Sequence, residues 1–354
     1  MILDPLLDLF RGRAVTIPPM DGALRPDTSL DESEVFLTIP APDNLVVTAG
    51  RTLFSSGAQL LALPDMGSHC PSVATFESDI ASLAAAPNGT IAAGLVSGEV
   101  HILTEGAAQS AIAGFNCPVA MTFGRDGTLY ICNGSDRHPP DAWVHDVMGK
   151  NAAGSVWRVS LPGGERTCLA DNLAFPFGVM VDEANGRLIV SESWRHRLIG
   201  IPLAGGKPEP VLANLPGYPA RMAPGENGTL LAIFAPRNRL IEFVLLEDDY
   251  RTDMMRDVDS RYWIAPSLSS SRSFLEPLQN GSVRTMGIHK PWSPTRSYGL
   301  IVELDGAFQP VTSYHSRANG TRHGMTSAVM RDGRIVATSK GGDMILSVGR
   351  KTLS

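Results

Sequence analysis

The sequence predicts an all-β fold, a six-bladed β-propeller in a single domain spanning 1–354, on two observations. First, six segments share one pattern: a short apolar run, a turn that closes on glycine, and a second apolar run. This pattern predicts β-hairpins, because the turn needs a positive φ that Gly and Asn tolerate. Second, a third strand follows most hairpins and a fourth follows several, which gives four-stranded units typical of propeller blades. The turn glycines are Gly50, Gly89, Gly127, Gly186, Gly228 and Gly333.

An N-terminal strand would close the ring of blades. The last unit stops at its third strand near Val348, and the segment SEVFLTI, residues 33–39, precedes the first hairpin. We expect this segment to be the outer strand of the last blade, so that both ends of the chain meet in one sheet. Residues 1–32 are predicted to form an N-terminal helix or extension.

Two insertions are predicted to cap one mouth of the central channel. Most steps between the turn glycines are 38 to 42 residues, but the third and fifth are 59 and 105. The extra residues fall in 135–151, with a short helix after Pro140, and in 236–296, whose first part has helical apolar spacing. Both lie between the second and third strands of a blade, so both reach the face where the innermost strands begin. Capped mouths are where propellers place ligand sites.

Composition and charge exclude several classes of partner. A net charge of -6 and a pI near 5.8 leave no basic stripe for nucleic acid. No apolar run reaches the roughly 18 to 20 residues that span a bilayer, so no membrane partner is expected. The four cysteines lack C-x-x-C spacing, and the first ten residues, MILDPLLDLF, carry no basic residue. We expect a cytoplasmic protein that binds a small molecule; its oligomeric state stays open.

Aligning the six innermost strands on their turn glycines predicts two rings of residues at the capped mouth. Arg221 is the unusual member, because a charge in a strand that is otherwise buried needs a partner. The first ring is Asp43, Ala81, Val119, Phe177, Ala220 and Met325, and the second is Asn44, Ser82, Ala120, Gly178, Arg221 and Thr326.

Three stretches of the chain resemble a known superfamily. They are FPFGVMVDEANGRLIVSESWRHRLIGIPL, LPGYPARM and HGMTSAVMRDGRIVATS. They are similar to the SMP-30/gluconolactonase/regucalcin propellers, the more distant paraoxonase-type lactonases and, most closely, the strictosidine synthase-like branch. The resemblance covers about 40–348. In calcium-dependent members, a Glu and several Asn and Asp side chains at these strand starts hold a catalytic Ca²⁺. Carried over, the Glu falls on Asp43, the Asn residues near Val119 or Ala120 and on Phe177, and an Asp-Asn pair on Ala220 and Arg221.

The departures from that pattern argue against a metal. Ca²⁺ takes six to eight oxygen ligands, and this ring keeps Asp43 and Asn44 while Arg221 stands where ligands would sit. We therefore expect no cofactor, with Arg221 supplying the positive charge; a Ca²⁺ site whose ligands are misaligned is the alternative. The glutamate of strictosidine synthase falls at or near Thr326, so its Pictet–Spengler chemistry is not implied.

Three residues are catalytic candidates. Arg221 would bind a ligand anion or a developing oxyanion, or else form a structural ion pair with Asp43, Glu77 or Asp79. His323 precedes an innermost strand and would act as acid or base, or else hydrogen-bond behind the site. Asp43 would be a general base, although a neighbouring arginine would lower its pKa.

Eight further residues are candidates for substrate contact. Those at the strand starts are Asn44, Phe177, Met325 and Thr326, and Trp194 would reach the mouth from a loop. Trp143, His289 and Trp292 lie on the insertions, where they would form an apolar ceiling or serve lid packing alone.

The leading functional hypothesis is a metal-independent, hydrolase-like enzyme acting on a small lactone or ester. The alternatives are a propeller that binds a small molecule without catalysis, a Ca²⁺-dependent lactonase, and a strictosidine synthase-like enzyme that forms C–C or C–N bonds. The sequence does not identify the substrate.

Overall fold

The structure is a computed structural model. It describes residues 17–351 apart from 49, 66–68, 105–109, 162, 271, 272, 274, 278–280, 286, 287 and 294, and only the backbone within 281–294.

Six four-stranded antiparallel sheets form a six-bladed β-propeller, as predicted. Their innermost strands contact one another in sequence around the channel, and the last contacts the first. Blade 1 contains β2 (Pro42–Thr48), β3 (Arg51–Ser56), β4 (Gln59–Ala62) and β5 (Ser72–Thr75). Blade 2 contains β6 (Ile80–Ala85), β7 (Ile91–Leu95), β8 (Val100–Leu103) and β9 (Ser110–Ile112). Blade 3 contains β10 (Pro118–Phe123), β11 (Leu129–Asn133), β12 (Gly154–Ser160) and β13 (Glu165–Leu173).

The remaining blades complete the ring. Blade 4 contains β14 (Pro176–Asp182), β15 (Arg187–Glu192), β16 (Arg197–Pro202) and β17 (Glu209–Leu212). Blade 5 contains β18 (Gly217–Pro224), β19 (Thr229–Pro236), β22 (Gly299–Leu304) and β23 (Pro310–Ser316), and blade 6 contains β24 (Met325–Arg331), β25 (Arg334–Ser339), β26 (Met344–Val348) and β1 (Glu34–Thr38). Buried apolar side chains between neighbouring sheets form the core.

The N-terminal strand closes the ring. Strand β1 pairs antiparallel with β26, with Glu34 opposite Ser347 and Thr38 opposite Met344, which confirms the predicted outer strand of blade 6. Upstream, the backbone N–H of Leu30 donates to the carbonyl of His315, and the Leu30 side chain is fully buried. The described part of the N-terminal extension has one 3₁₀ turn, Gly22–Leu24, and the rest of the predicted helix or extension, residues 1–16, lies outside the described residues.

The two insertions together form one lid. The first carries a 3₁₀ turn at Pro140–Ala142 and helix α1 (Trp143–Met148), and the second carries α2 (Arg239–Leu246) and α3 (Asp248–Asp257). A 3₁₀ turn at Ser260–Tyr262 and a hairpin of β20 (Gly281–Thr285) and β21 (Ile288–Ser293) follow.

The insertions are bonded to each other at their helices. The Arg251 guanidinium donates to the carbonyl of Met148 at 2.7 Å, and Lys150 pairs with Asp248 at 3.1 Å. The predicted helices are therefore present, and the helices of the two insertions are bonded to each other. No helix in the described ranges is long and apolar enough to cross a membrane.

Candidate functional site

A cavity of about 320 Å³ lies between the lid and the channel, where the innermost strands begin. Its floor is polar and its walls are aromatic. A second cavity, of about 660 Å³, opens at the other end of the channel, and Arg221 borders both. Residues lining the cavity under the lid include Asp43, Asp79, Ala81, Val119, Asp141, Trp143, Phe175, Phe177, Trp194, Arg221, Phe234, Leu268, Thr326 and Lys340.

Every innermost strand has a register irregularity near its start. In four blades one residue is left out of the pairing with the second strand, which is the signature of a β-bulge. Bulges are common next to binding sites because they redirect side chains and free backbone groups. The four residues are Ala81, Val119, Phe177 and Thr326, and the corresponding shifts in blades 1 and 5 lie within 43–46 and 218–222.

The guanidinium of Arg221 donates to the backbone oxygens of three of these four bulge residues. Its Nη2 donates to the carbonyls of Ala81 at 2.7 Å and Val119 at 3.0 Å. Its Nη1 donates to Asp43 Oδ1 at 2.8 Å and to the carbonyl of Thr326 at 3.5 Å. The guanidinium also lies 4.8 Å from the ring centroid of Phe177. One side chain thus contacts the five other blades from its place on blade 5, at the centre of the channel.

Arg221 lies on β18 of blade 5, at a point where this strand approaches β14 of blade 4 closely. Serine hydroxyls at the end of blade 4 hold the irregular stretch: Ser191 Oγ donates to the carbonyl of Ala220 at 2.8 Å, and Ser193 Oγ donates to that of Pro219. A Cβ at Gly178 would lie 2.3 Å from the oxygen of Ala220, so the approach requires glycine.

Asp43 is a bridge between two cations. Its Oδ1 accepts from Arg221 and from the backbone N–H of Asn44, and its Oδ2 accepts from Lys340 Nζ at 2.9 Å. Burial raises the pKa of Asp43, but the charges of Arg221 and Lys340 outweigh it and lower the pKa to about 2. The carboxylate is therefore ionised at neutral pH and a weak base.

Lys340 belongs to the floor, although the sequence did not indicate it. It lies on a 3₁₀ turn between β25 and β26 of blade 6, whereas both predicted rings were taken from innermost strands. Trp194, which the sequence did indicate, lies on the corresponding 3₁₀ turn of blade 4, and comparing the turns after the second strands would have pointed to Lys340. With Arg221 and Asp43, Lys340 gives the floor two positive charges and one negative charge.

The walls of the cavity are aromatic side chains from blades 4 and 5, from the start of blade 4, and from the lid. Trp194 stacks on Phe175, with ring centroids 4.4 Å apart, and its Nε1 donates to Asp146 Oδ1 of α1 at 2.8 Å. Phe234 meets Trp143 of the lid at 5.4 Å and Phe177 at 5.7 Å, both edge to face. Sequence reasoning found Trp143, Phe177 and Trp194 but missed Phe175 and Phe234.

The structure places His323 behind the cavity. The ring is fully buried, Nε2 donates to the carbonyl of Arg317 at 2.7 Å, and Nδ1 lies 2.8 Å from Ser297 Oγ. A third contact, at 3.2 Å, reaches Ser270 of the second insertion. Burial lowers the pKa of His323. These bonds join the lid to blade 6 and leave no ring nitrogen for a ligand, which is the alternative role considered for this histidine.

The other predicted contact residues divide into three groups. Thr326 lines the cavity, whereas Met325 packs in the core, because the bulge directs the next residue inward. Asn44 lies behind Asp43, where its Nδ2 donates to Ser55 Oγ at 2.8 Å and its buried Oδ1 has no hydrogen-bond partner among the described residues. His289 and Trp292 lie on β21, where the side chains are outside the described residues.

The donor set does not fit Ca²⁺. A guanidinium occupies the point at which carbonyl oxygens from three blades converge, and both oxygens of Asp43 are engaged by cations. Within the described parts of the chain, no group of three or more His, Cys, Asp and Glu side chains could hold a metal ion. The polar floor is arranged around a protein cation.

Comparisons with known proteins identify the fold. No protein-family model matches the chain, and no curated protein matches its sequence. A gluconolactonase from Xanthomonas campestris is 11% identical over 94% of both chains, with a TM-score of 0.56. A regucalcin from Agrobacterium tumefaciens, described as a calcium-binding protein, is 10% identical over 90% of this chain and 93% of its own, with a TM-score of 0.54. The chain shares the fold of these propellers. At such identities the similarity establishes fold alone, and the resemblance to the strictosidine synthase-like branch stays a prediction.

Proposed function

We propose that the cavity under the lid binds a small, ring-containing carbonyl compound, and that the protein hydrolyses a lactone or ester bond in it without a metal ion. The observation that carries this proposal is the position of Arg221, whose guanidinium lies at the floor of an aromatic cavity, at the meeting point of the strand starts. The structural similarity to a gluconolactonase supports the reaction class as an analogy of fold.

The chemistry follows from the charge distribution of the cavity. Hydrolysis of an ester or lactone passes through a tetrahedral oxyanion, and fixed positive charge in a cavity shielded from water stabilises it. The floor, with two cations to one carboxylate, provides that charge. Asp43 holds the two cations in place. The attacking water would transfer its proton to a carboxylate of the rim, where Asp79 and Asp141 are exposed and line the cavity.

A second candidate, binding without catalysis, is favoured by one observation. Both terminal nitrogens of Arg221 are already engaged by protein oxygens, and the low pKa of Asp43 makes it a poor proton acceptor. In this alternative the floor only positions a ligand. A Ca²⁺-dependent lactonase and a bond-forming enzyme have less support, because the described residues that line the floor include neither a set of metal ligands nor a glutamate.

An activity assay separates the two leading candidates. The purified protein is incubated with aromatic lactones and esters in the presence of EDTA, and hydrolysis is followed by acid release. We expect turnover that EDTA does not affect and that Phe177→Ala, which removes an aromatic wall, lowers at unchanged fold. Binding of these compounds without turnover would contradict the hydrolase proposal and establish the binding protein. Turnover that requires added Ca²⁺ would contradict metal independence.

A further inference from the structure

Lys340 is a cationic hydrogen-bond donor at the cavity, and its ion pair with Asp43 engages only part of its donor capacity. In the described part of the chain its Nζ makes one hydrogen bond, to Asp43 Oδ2 at 2.9 Å. An ammonium group carries three N–H bonds, so two remain for a ligand. The side chain lines the cavity and is 34% exposed, while Asp43 beneath it is buried.

The surplus positive charge of the floor resides on Lys340. The charge of Arg221 is balanced by Asp43 and by the dipoles of the carbonyls of Ala81 and Val119, which point at its guanidinium. The aromatic walls restrict water, so the ammonium interacts strongly with an opposite charge. The rim carboxylates Asp79 and Asp141 are exposed to solvent and screened by it. The charged side chains of the floor thus sum to one positive charge, and the two aspartates of the rim are negatively charged.

We propose that Lys340 binds the carboxylate of a small aromatic monocarboxylate whose ring packs against Phe177, Trp194 and Phe234. The floor has two cations to one carboxylate, so its one surplus positive charge matches a single carboxylate on the ligand. This inference rests on the proposed function. Hydrolysis adds water across the acyl C–O bond and yields a carboxylate, an alcohol and a proton, so the ligand has the chemistry of the product.

Isothermal calorimetry with an acid and its neutral amide tests the inference. Indole-3-acetate and indole-3-acetamide have nearly the same shape and differ in charge. We expect wild-type protein to bind the acid about tenfold or more tightly than the amide, because a charge-assisted hydrogen bond is worth at least that factor. Lys340→Met should abolish the preference, and Lys340→Arg should keep most of it.

A matched control is Lys150→Met. Lys150 pairs with one carboxylate, Asp248 at 3.1 Å, but lies outside the cavity, so its substitution should leave both affinities unchanged. Thermal unfolding of each variant shows whether the fold persists.

Two results would overturn the inference: no binding of the acid to wild-type protein, or equal affinity for acid and amide that Lys340→Met does not alter. Either can occur while lactones are still hydrolysed, so the proposed function would survive. Conversely, a preference for the acid without hydrolysis of any lactone or ester would remove the enzymatic proposal and leave the anion site.

Discussion

At the scale of single residues, Arg221 forms several contacts in addition to its ion pair with Asp43. The sequence offered Asp43 as one of three possible ion-pair partners of Arg221, and the structure pairs these two residues. The sequence did not predict the bonds to the carbonyls of Ala81, Val119 and Thr326. Those bonds depend on bulges, and a bulge is a feature of strand pairing that one strand's sequence does not encode.

This difference changes the expected result of removing the ion pair. Arg221→Met should destabilise the protein by about 3 to 5 kcal/mol, as breaking a buried pair does. Combining it with Asp43→Leu should recover little of the loss, because three carbonyl oxygens remain buried without a donor, each costing about 1 to 3 kcal/mol. The measurement is a double-mutant cycle of the free energy of unfolding in urea. Full recovery in the double mutant would show that Arg221 is only half of an ion pair.

Among the elements, the innermost strands were predictable and the direction of their side chains was not. The turn glycines gave the register at the mouth only to within one residue, so the sequence offered both Met325 and Thr326, and the bulge in β24 turns Thr326 toward the cavity. Phe175 was missed because it precedes its strand and has a positive φ of 57°, unusual for an aromatic residue. His323 was assigned to the channel from its place before a strand, but its ring is held by Ser297 and Arg317.

The lid is expected to serve ligand binding more than stability. Trp143 lines the cavity from α1 and meets Phe234, so Trp143→Ala should weaken binding of indole-3-acetate or an aromatic lactone several-fold with a small loss of stability. Trp157→Ala is the matched control, because Trp157 packs against Phe115 in blade 3, away from the cavity. Calorimetric affinity and melting temperature are measured for both. Unfolding of the Trp143 variant with unchanged affinity per folded molecule would make the lid purely structural.

For the whole molecule, the buried histidines set how stability depends on pH. His196, His315 and His323 are buried, and burial lowers the pKa of each, that of His315 to about 4. In the unfolded chain each pKa is near 6.5. The unfolded state therefore binds protons between these values while the folded state does not.

The free energy of unfolding should accordingly be highest above pH 6.5 and fall as the pH decreases from about 6.5 toward 4. Urea unfolding at a series of pH values measures it. His315→Gln, whose amide can take over a bond to Ser313 or Tyr298, should flatten the slope across this range. Stability that rises on acidification through this range would show that the histidines gain charge partners in the fold.

Calcium content tests most directly whether a guanidinium replaces a metal ion at the centre of the channel. Elemental analysis of protein purified without chelator should find no stoichiometric calcium, and the melting temperature should be the same in EDTA and in millimolar CaCl₂. The physical reason is that Arg221 already fills the point where the carbonyl oxygens converge. One tightly held calcium per chain, with a melting temperature that falls on chelation as mass action requires, would contradict the claim that the Arg221 guanidinium replaces a metal ion.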